Sequence, residues 1–395
     1  MRNEKRKKPL LKFNFDKSYL LPIFLILFFG VEAWSAIKTE IWGIKSYLPM
    51  IVKTLVLISI FCYFLFYDRK KFLMLSVLLV VFIIGQLAIN PTFNFSAIGS
   101  FSKYLFFLLI PALVLDKNNS AQADKSFAIF EGIVFINSVV VILSYVFGWD
   151  VFRSYEDRFG YVGLLIASAT GTYFYCVALA YYLLKYNIKA FRKFEFYLIA
   201  VSIILLGTKS ALLYLILSLG TIAFSQLKDL KKKIITILIF FMIGAFSLYF
   251  FLQSSISKKI TEEYGLITSI LSYRDIHFAN QTLPYIEENW NVINYLFGGL
   301  TIMSKRPQME YFDLLLFFGI LGSSYYLYLV YKFYKLKNLS FGSLPFFLIL
   351  FLFAAAFISG NFFYNGSTSI YFVVLILVAL EVSKKKDAIS NNSID

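Results

Sequence analysis

Apolar residues along this chain fall in long runs and do not alternate with polar ones. Phe72–Ile89 and Ile234–Leu252 are almost continuously apolar, and ten further runs resemble them. A hydrocarbon layer about 30 Å thick is crossed by about 20 residues of helix, which is the length these runs supply. Barrel strands would read instead as alternating segments of about ten residues. Lipid offers the backbone no hydrogen-bond partner, so the runs must be helices that satisfy themselves. The pattern predicts an all-α membrane protein with about 12 transmembrane helices, at 18–37, 47–67, 72–90, 101–115, 127–148, 161–184, 195–207, 210–226, 234–252, 310–331, 343–359 and 366–381. Residues 1–395 then form a single polytopic domain. One connection stands apart, a segment at 253–309 between the ninth and tenth spans. Connections of that length are usually functional or separately folded. Within it, Ile270–His277 and Tyr285–Leu296 are predicted as amphipathic helices at the membrane surface.

Composition agrees: 59% of residues are hydrophobic and only 15% charged, which excludes a water-soluble domain. Charge then orients the chain. With the N-terminus inside, Arg69-Lys70-Lys71, Lys185 to Lys193, Lys228 to Lys233, Lys332 to Lys337 and Lys384-Lys385-Lys386 all lie on the cytoplasmic side, as the positive-inside rule requires. Both termini are expected in the cytoplasm, the protein in the inner (cytoplasmic) membrane, and the 253–309 segment outside. The net charge of +15 is accounted for by this asymmetry, so no nucleic-acid partner is implied. The first apolar run, Tyr19–Gly30, has no small-residue cleavage site after it and is expected to remain as the first helix. Cys62 and Cys176 sit inside apolar runs without disulfide or metal-ligand spacing, and are expected to pack.

Against that background, cations on the outer side need a reason to be there. They are Lys53, Lys103, Arg153, Arg158, Lys209, Arg274, Lys305 and Arg306. A charge inside a span costs several kcal/mol unless it snorkels or serves a site. Lys209 lies in Gly207-Thr208-Lys209-Ser210, a break between two short apolar segments, and broken spans tend to surround polar sites. Arg153 and Arg158 share a loop with Asp150, Glu156 and Asp157, where local ion pairing is the plainer reading. For acid–base work the candidates are Glu310, Asp313, His277 and the Glu287-Glu288 pair. Glu310 and Asp313 share one face at the start of a helix, where carboxylates also suit the helix dipole. His277 is the chain's single histidine. No metal cluster, phosphate-binding loop or nucleophile elbow is present in the sequence, and no cofactor is expected.

Four patches, taken in order, resemble the O-antigen and capsular polysaccharide polymerases (Wzy-type) and the related O-antigen ligases. They are Arg158-Phe159-Gly160 ahead of a small-residue helix from Gly163 to Gly171; Gly207-Thr208-Lys209-Ser210-Ala211-Leu212-Leu213, with lysine where arginine is usual; Arg274 followed by Trp290 and Leu296-Phe297-Gly298-Gly299; and the stretch from Pro307 to Gly322. The chain departs from that pattern at Gln308 and Met309, where the family often carries a His-Asn pair. The resemblance implies a GT-C-like membrane fold and metal-independent glycosyl transfer at the outer membrane face. In that reaction the growing glycan leaves undecaprenyl pyrophosphate for an incoming lipid-linked repeat unit. Undecaprenyl-pyrophosphate-linked oligosaccharide, membrane lipid and a chain-length regulator protein are the partners it implies.

The chemistry fits the residues. Arginine and lysine can neutralise a departing pyrophosphate without metal, so Arg274, Arg158 and Lys209 are expected to converge on it, supported by Arg153, Lys103 and Lys53. The attacking sugar hydroxyl must lose a proton, and Glu310 is expected to take it, supported by Asp313, with His277 as the competing base. Tyr264, Tyr273, Phe278, Tyr285, Trp290 and Tyr295 could stack on sugars or form an interfacial belt. Two alternatives remain from the sequence alone: a ligase with the same site and another acceptor, and a flippase or transporter, against which stands the lack of matching halves.

Overall fold

The computed structural model describes residues 17–391 apart from 45, 91–94, 116–119, 155–158, 228 and 254. Every predicted span coincides with a helix. They are α1 (Leu20–Trp42), α2 (Leu48–Tyr67), α3 (Arg69–Ile89), α4 (Phe95–Val114), α5 (Ser120–Phe147), α6 (Ser168–Tyr186), α7 (Phe194–Leu205), α8 (Lys209–Gln226) and α9 (Leu230–Leu252). Five short helices follow: α10 (Ser255–Tyr264), α11 (Leu266–Leu271), α12 (Arg274–His277), α13 (Leu283–Asn289) and α14 (Val292–Phe297). The chain closes with α15 (Glu310–Phe333), α16 (Leu344–Ser359) and α17 (Gly366–Asn391). Among the described residues the only extended pairing is an isolated bridge between Arg153 and Tyr161. Among the described residues, eight helices are long and apolar enough to cross a membrane, so the protein is an all-α membrane protein.

Local chemistry sets the helix ends. Gly43 closes α1 in the left-handed conformation, donating its N–H to Lys38 O. Asp68 caps α3 by accepting from the Lys71 N–H, and Ser343 caps α16 by accepting from the Phe346 N–H. Burial then sorts the helices. In α6 every residue from Thr170 to Leu184 is buried, and 89% of the apolar window of α17 is buried against 11% of that of α2. Thus α6 and α17 form the centre, α17 packing on both α6 and α4, and α2 leaves most of its apolar side chains uncovered. Around the centre, α16 lies on α8 and α15 on α3.

Two of the apolar helices are shorter than a hydrocarbon layer is thick. α7 has 12 residues and α16 has 16, which at 1.5 Å per residue are about 18 and 24 Å. The breaks that follow them lie at residues 206–208 and 360–365. They also meet, because Ser359 donates its hydroxyl hydrogen to Ser210 Oγ.

The 253–309 segment departs from the surface-lying expectation over its second half. α13 and α14 are separate helices divided at Trp290–Asn291, and the side chain of Asn294 is fully buried. Asn294 Nδ2 donates to Gly85 O of α3 at 2.9 Å, and the Gly299 N–H donates to Leu316 O of α15 at 2.9 Å. The end of α14 is thus a wedge between α3 and α15. α15 opens to receive it, since Gly319 leaves the helix with φ 63° and ψ −171°. A side chain on Gly298 would sit 2.4 Å from Phe318 N, and one on Gly85 2.4 Å from Phe297 O, so only glycines permit this approach.

Candidate functional site

The loop between α16 and α17 is irregular backbone deep in the bundle, tolerated because protein groups satisfy it. Glu310, the first residue of α15 and fully buried, accepts the Phe362 N–H on Oε2 at 2.6 Å and the Phe363 N–H on Oε1 at 2.8 Å. Tyr173 of α6 donates its hydroxyl to Gly360 O at 2.5 Å. Asn365 Nδ2 donates to Thr170 Oγ1 at 2.5 Å, and Asn365 Oδ1 accepts from the Ser367 N–H at 3.1 Å. Gly360 and Asn361 both have positive φ, at 63° and 62°.

Cations stand on both flanks of this loop. On one flank, Arg306 Nε lies 3.0 Å from Asp313 Oδ2, and its Nη2 donates to Asn361 Oδ1. The same guanidinium covers the Tyr364 ring, 3.9 Å from its centroid. Burial would favour losing the Arg306 proton, but Asp313 and the phenols of Tyr104 and Tyr364 hold it more firmly than in a free arginine. Lys103 of α4 donates to the Tyr364 hydroxyl at 3.2 Å, and Ser100 Oγ lies 2.8 Å from the same oxygen. On the other flank, Arg274 donates to Ile358 O and lies within Coulombic range of Asp313. Lys209 donates to Ser269 O, to Ile270 O at 3.3 Å and to Ser272 Oγ at 3.2 Å, tying α8 to the end of α11.

Beneath this second flank lies a cavity of about 780 Å³ between α8, α9 and α16. Leu213, Ile216, Leu217, Phe240, Phe241, Phe347 and Phe351 line it, with Lys209, Ser210 and Ile358 at its upper end. Along α8 the lining runs from Lys209 to Phe224, which at helical rise is about 22 Å. It is a long apolar slot with Lys209 at one end.

The other predicted residues lie elsewhere. Lys53 pairs with Glu32 at 3.1 Å, and Glu32 also accepts from Ser367 Oγ, so this lysine is engaged inside the bundle. Arg153 pairs with Asp150 at 3.2 Å within its own turn. Arg158 lies outside the described residues. Lys305 donates to Gln281 Oε1 at 2.5 Å. His277 is half-buried on α12, one turn from Arg274, and its Nε2 is shielded with no hydrogen-bond partner. Glu287 and Glu288 are exposed. Of the aromatic residues of the segment, Tyr285 is core, bonded to Thr301, whereas Tyr264, Tyr273 and Tyr295 keep exposed faces. Asp313 serves Arg306 and also accepts the Gln308 N–H at 3.1 Å.

Asn361, Tyr364 and Ser100 were not among the predicted residues, and Arg306 was noted only as an outer cation. A signal for the first two exists in Gly360-Asn361 and Asn365-Gly366, turn-forming pairs bracketing three aromatic residues between apolar runs. Among the described residues, no group of three His, Cys, Asp or Glu side chains is placed to hold a metal ion. No family profile matches the chain, nor does any characterised protein or solved structure.

Proposed function

We propose that this protein is a polysaccharide repeat-unit polymerase, transferring a growing glycan from undecaprenyl pyrophosphate onto a lipid-linked repeat unit at the outer face of the cytoplasmic membrane. The observation that carries the reading is the apolar slot between α8, α9 and α16 with Lys209 in its lining and Arg274 bonded to the carbonyl of Ile358, another lining residue. One hydrocarbon chain fits along the slot, and its anionic head would meet Lys209 and Arg274. A phosphate oxygen is a stronger partner than a carbonyl for either one, and arginine offers it two parallel bonds. In this reading twelve helices cross, and the basic loops and both termini face the cytoplasm. Glu310 has a holding role: both of its oxygens are taken by the backbone of the 360–365 loop.

Two outcomes are expected. Purified protein given a synthetic lipid-pyrophosphate-linked repeat unit should build a ladder of products, whereas translocation without new bonds would indicate a flippase. Arg274→Ala and Lys209→Met should each slow the ladder roughly 10- to 150-fold, the equivalent of about 1.5–3 kcal/mol for one charge-assisted contact. Arg274→Lys should rescue only in part, because it lacks the planar fork. Ladders at the wild-type rate in both variants would rule out a role for the two cations. For orientation, a cysteine placed at exposed Glu287 should react with an impermeant thiol reagent in intact cells. Reaction there only after permeabilisation would invert the topology and place the Lys209 end of the slot on the wrong side.

A further inference from the structure

We propose that Tyr364, as the phenolate, accepts the proton of the attacking sugar hydroxyl, an assignment that rests on the glycosyl-transfer reading above. Such a base must present an oxygen to a ligand. Glu310 is fully buried with both oxygens engaged, and Asp313 is fully buried against Arg306 and the Gln308 N–H. Tyr364 is half-buried, and its hydroxyl lies beside Lys103, whose side chain reaches the surface.

Its surroundings favour a negative oxygen. From α4, Lys103 donates to the hydroxyl at 3.2 Å and Ser100 supplies a second hydroxyl at 2.8 Å, while the Tyr104 ring packs 5.3 Å from the Tyr364 ring, centroid to centroid. From the segment ahead of α15, Arg306 covers the ring at 3.9 Å; its charge is shared with Asp313 and, at longer range, with Glu310. Burial of the ring would by itself raise the phenol, but Lys103, Ser100 and Arg306 outweigh it and bring its ionisation below the ordinary phenol range.

In the step, the acceptor hydroxyl oxygen bonds to the anomeric carbon as its proton passes to the Tyr364 oxygen. The carbon–oxygen bond to pyrophosphate breaks, and the electron pair leaves with the pyrophosphate. Tyr364 then returns the proton to the outer solution. Lys103 thereby acts on Tyr364 as a positioning residue, in place of the pyrophosphate contact predicted from sequence.

The test has two arms on purified, detergent-solubilised protein. Phenolate absorbance against pH should show one tyrosine of the 28 ionising ahead of the rest. That component should be absent from Tyr364→Phe and shifted to higher pH in Lys103→Met. In the second arm, the rate of ladder formation from the lipid-pyrophosphate-linked repeat unit should rise with pH along the same ionisation. Tyr364→Phe should lose that limb and slow about 10²- to 10⁴-fold, the range of general-base catalysis. Lys103→Met should move the limb to higher pH, and Lys103→Arg should restore it in part. No early phenolate in the wild-type protein overturns the proposal. So does a Tyr364→Phe variant with normal rate and pH profile, and all the more if His277→Ala abolishes transfer. A wild-type protein that makes no ladder overturns the glycosyl-transfer reading itself, and the proton role with it.

Discussion

Arg306→Ala should be the most damaging single loss of a charge, costing about 3–5 kcal/mol, because it strands the Asp313 carboxylate in a dry interior. The two side chains are 7% and 0% exposed, and Arg306 Nε lies 3.0 Å from Asp313 Oδ2. Arg306 also fixes Asn361 and lies on Tyr364, so its loss frees the loop between α16 and α17 at two further points. Asp313→Asn should cost less, since the stranded guanidinium keeps both of those contacts. The double variant should be more stable than the sum of the single losses predicts, which is the mark of a coupled pair. Thermal unfolding in detergent reads this, with Lys305→Ala as the neighbouring control. If Arg306→Ala unfolds no earlier than that control, the buried pair does not hold the loop.

Gly360→Ala should have an effect of similar size for a steric reason. Gly360 sits at φ 63° and ψ 180°, a region only glycine occupies freely, at a cost of about 1–3 kcal/mol for other residues. An added methyl carbon would also lie 1.9 Å from the carbonyl oxygen of Gln308, whose own φ is positive at 59°. Relieving that overlap adds about 1–3 kcal/mol and moves the segment carrying Arg306 away from the loop. Together these come to about 2–6 kcal/mol, which reaches the lower end of the stability of an ordinary domain, about 5–15 kcal/mol. Membrane abundance and the unfolding midpoint of Gly360→Ala should both fall well below those of Gly30→Ala, where the added carbon meets nothing within 4 Å. Equal values would show that the approach of Gln308 to the loop is dispensable.

The helices were legible because lipid leaves the backbone one solution per apolar run, so composition along a window sufficed. Boundaries were less so. The predicted start at 161 is delayed to Ser168, because Gly163 turns at φ 69° and Asn137 of α5 ties down this stretch through Val162 O and the Leu164 N–H. The quoted patches do come together in pairs. Gly207 backs onto Phe159 O, and the Phe297-Gly298-Gly299 turn enters the break at Gly319. Pairing of charges was not legible. Lys53 read as a phosphate ligand because its partner, Glu32, lies on another helix, and a single acid inside an apolar run gives no hint of the cation it will meet. Glu310 read as a base for the same reason: its backbone partners come from a loop some fifty residues further on.

The glycine wedge imposes an order on biogenesis. α3 is made before α4 to α14 exist, so its surface around Gly85, including the carbonyl that Asn294 will occupy, enters the bilayer uncovered. The wedge arrives next, at residues 292–299, still without the break in α15 that admits it. Only when Gly319 has emerged can the three glycines close on one another. Locking is therefore a late, long-range event in a chain that grows at about 5–20 residues per second. The helices already made must hold their places throughout that interval, and a ribosome stalled before residue 319 releases a bundle with its seam open.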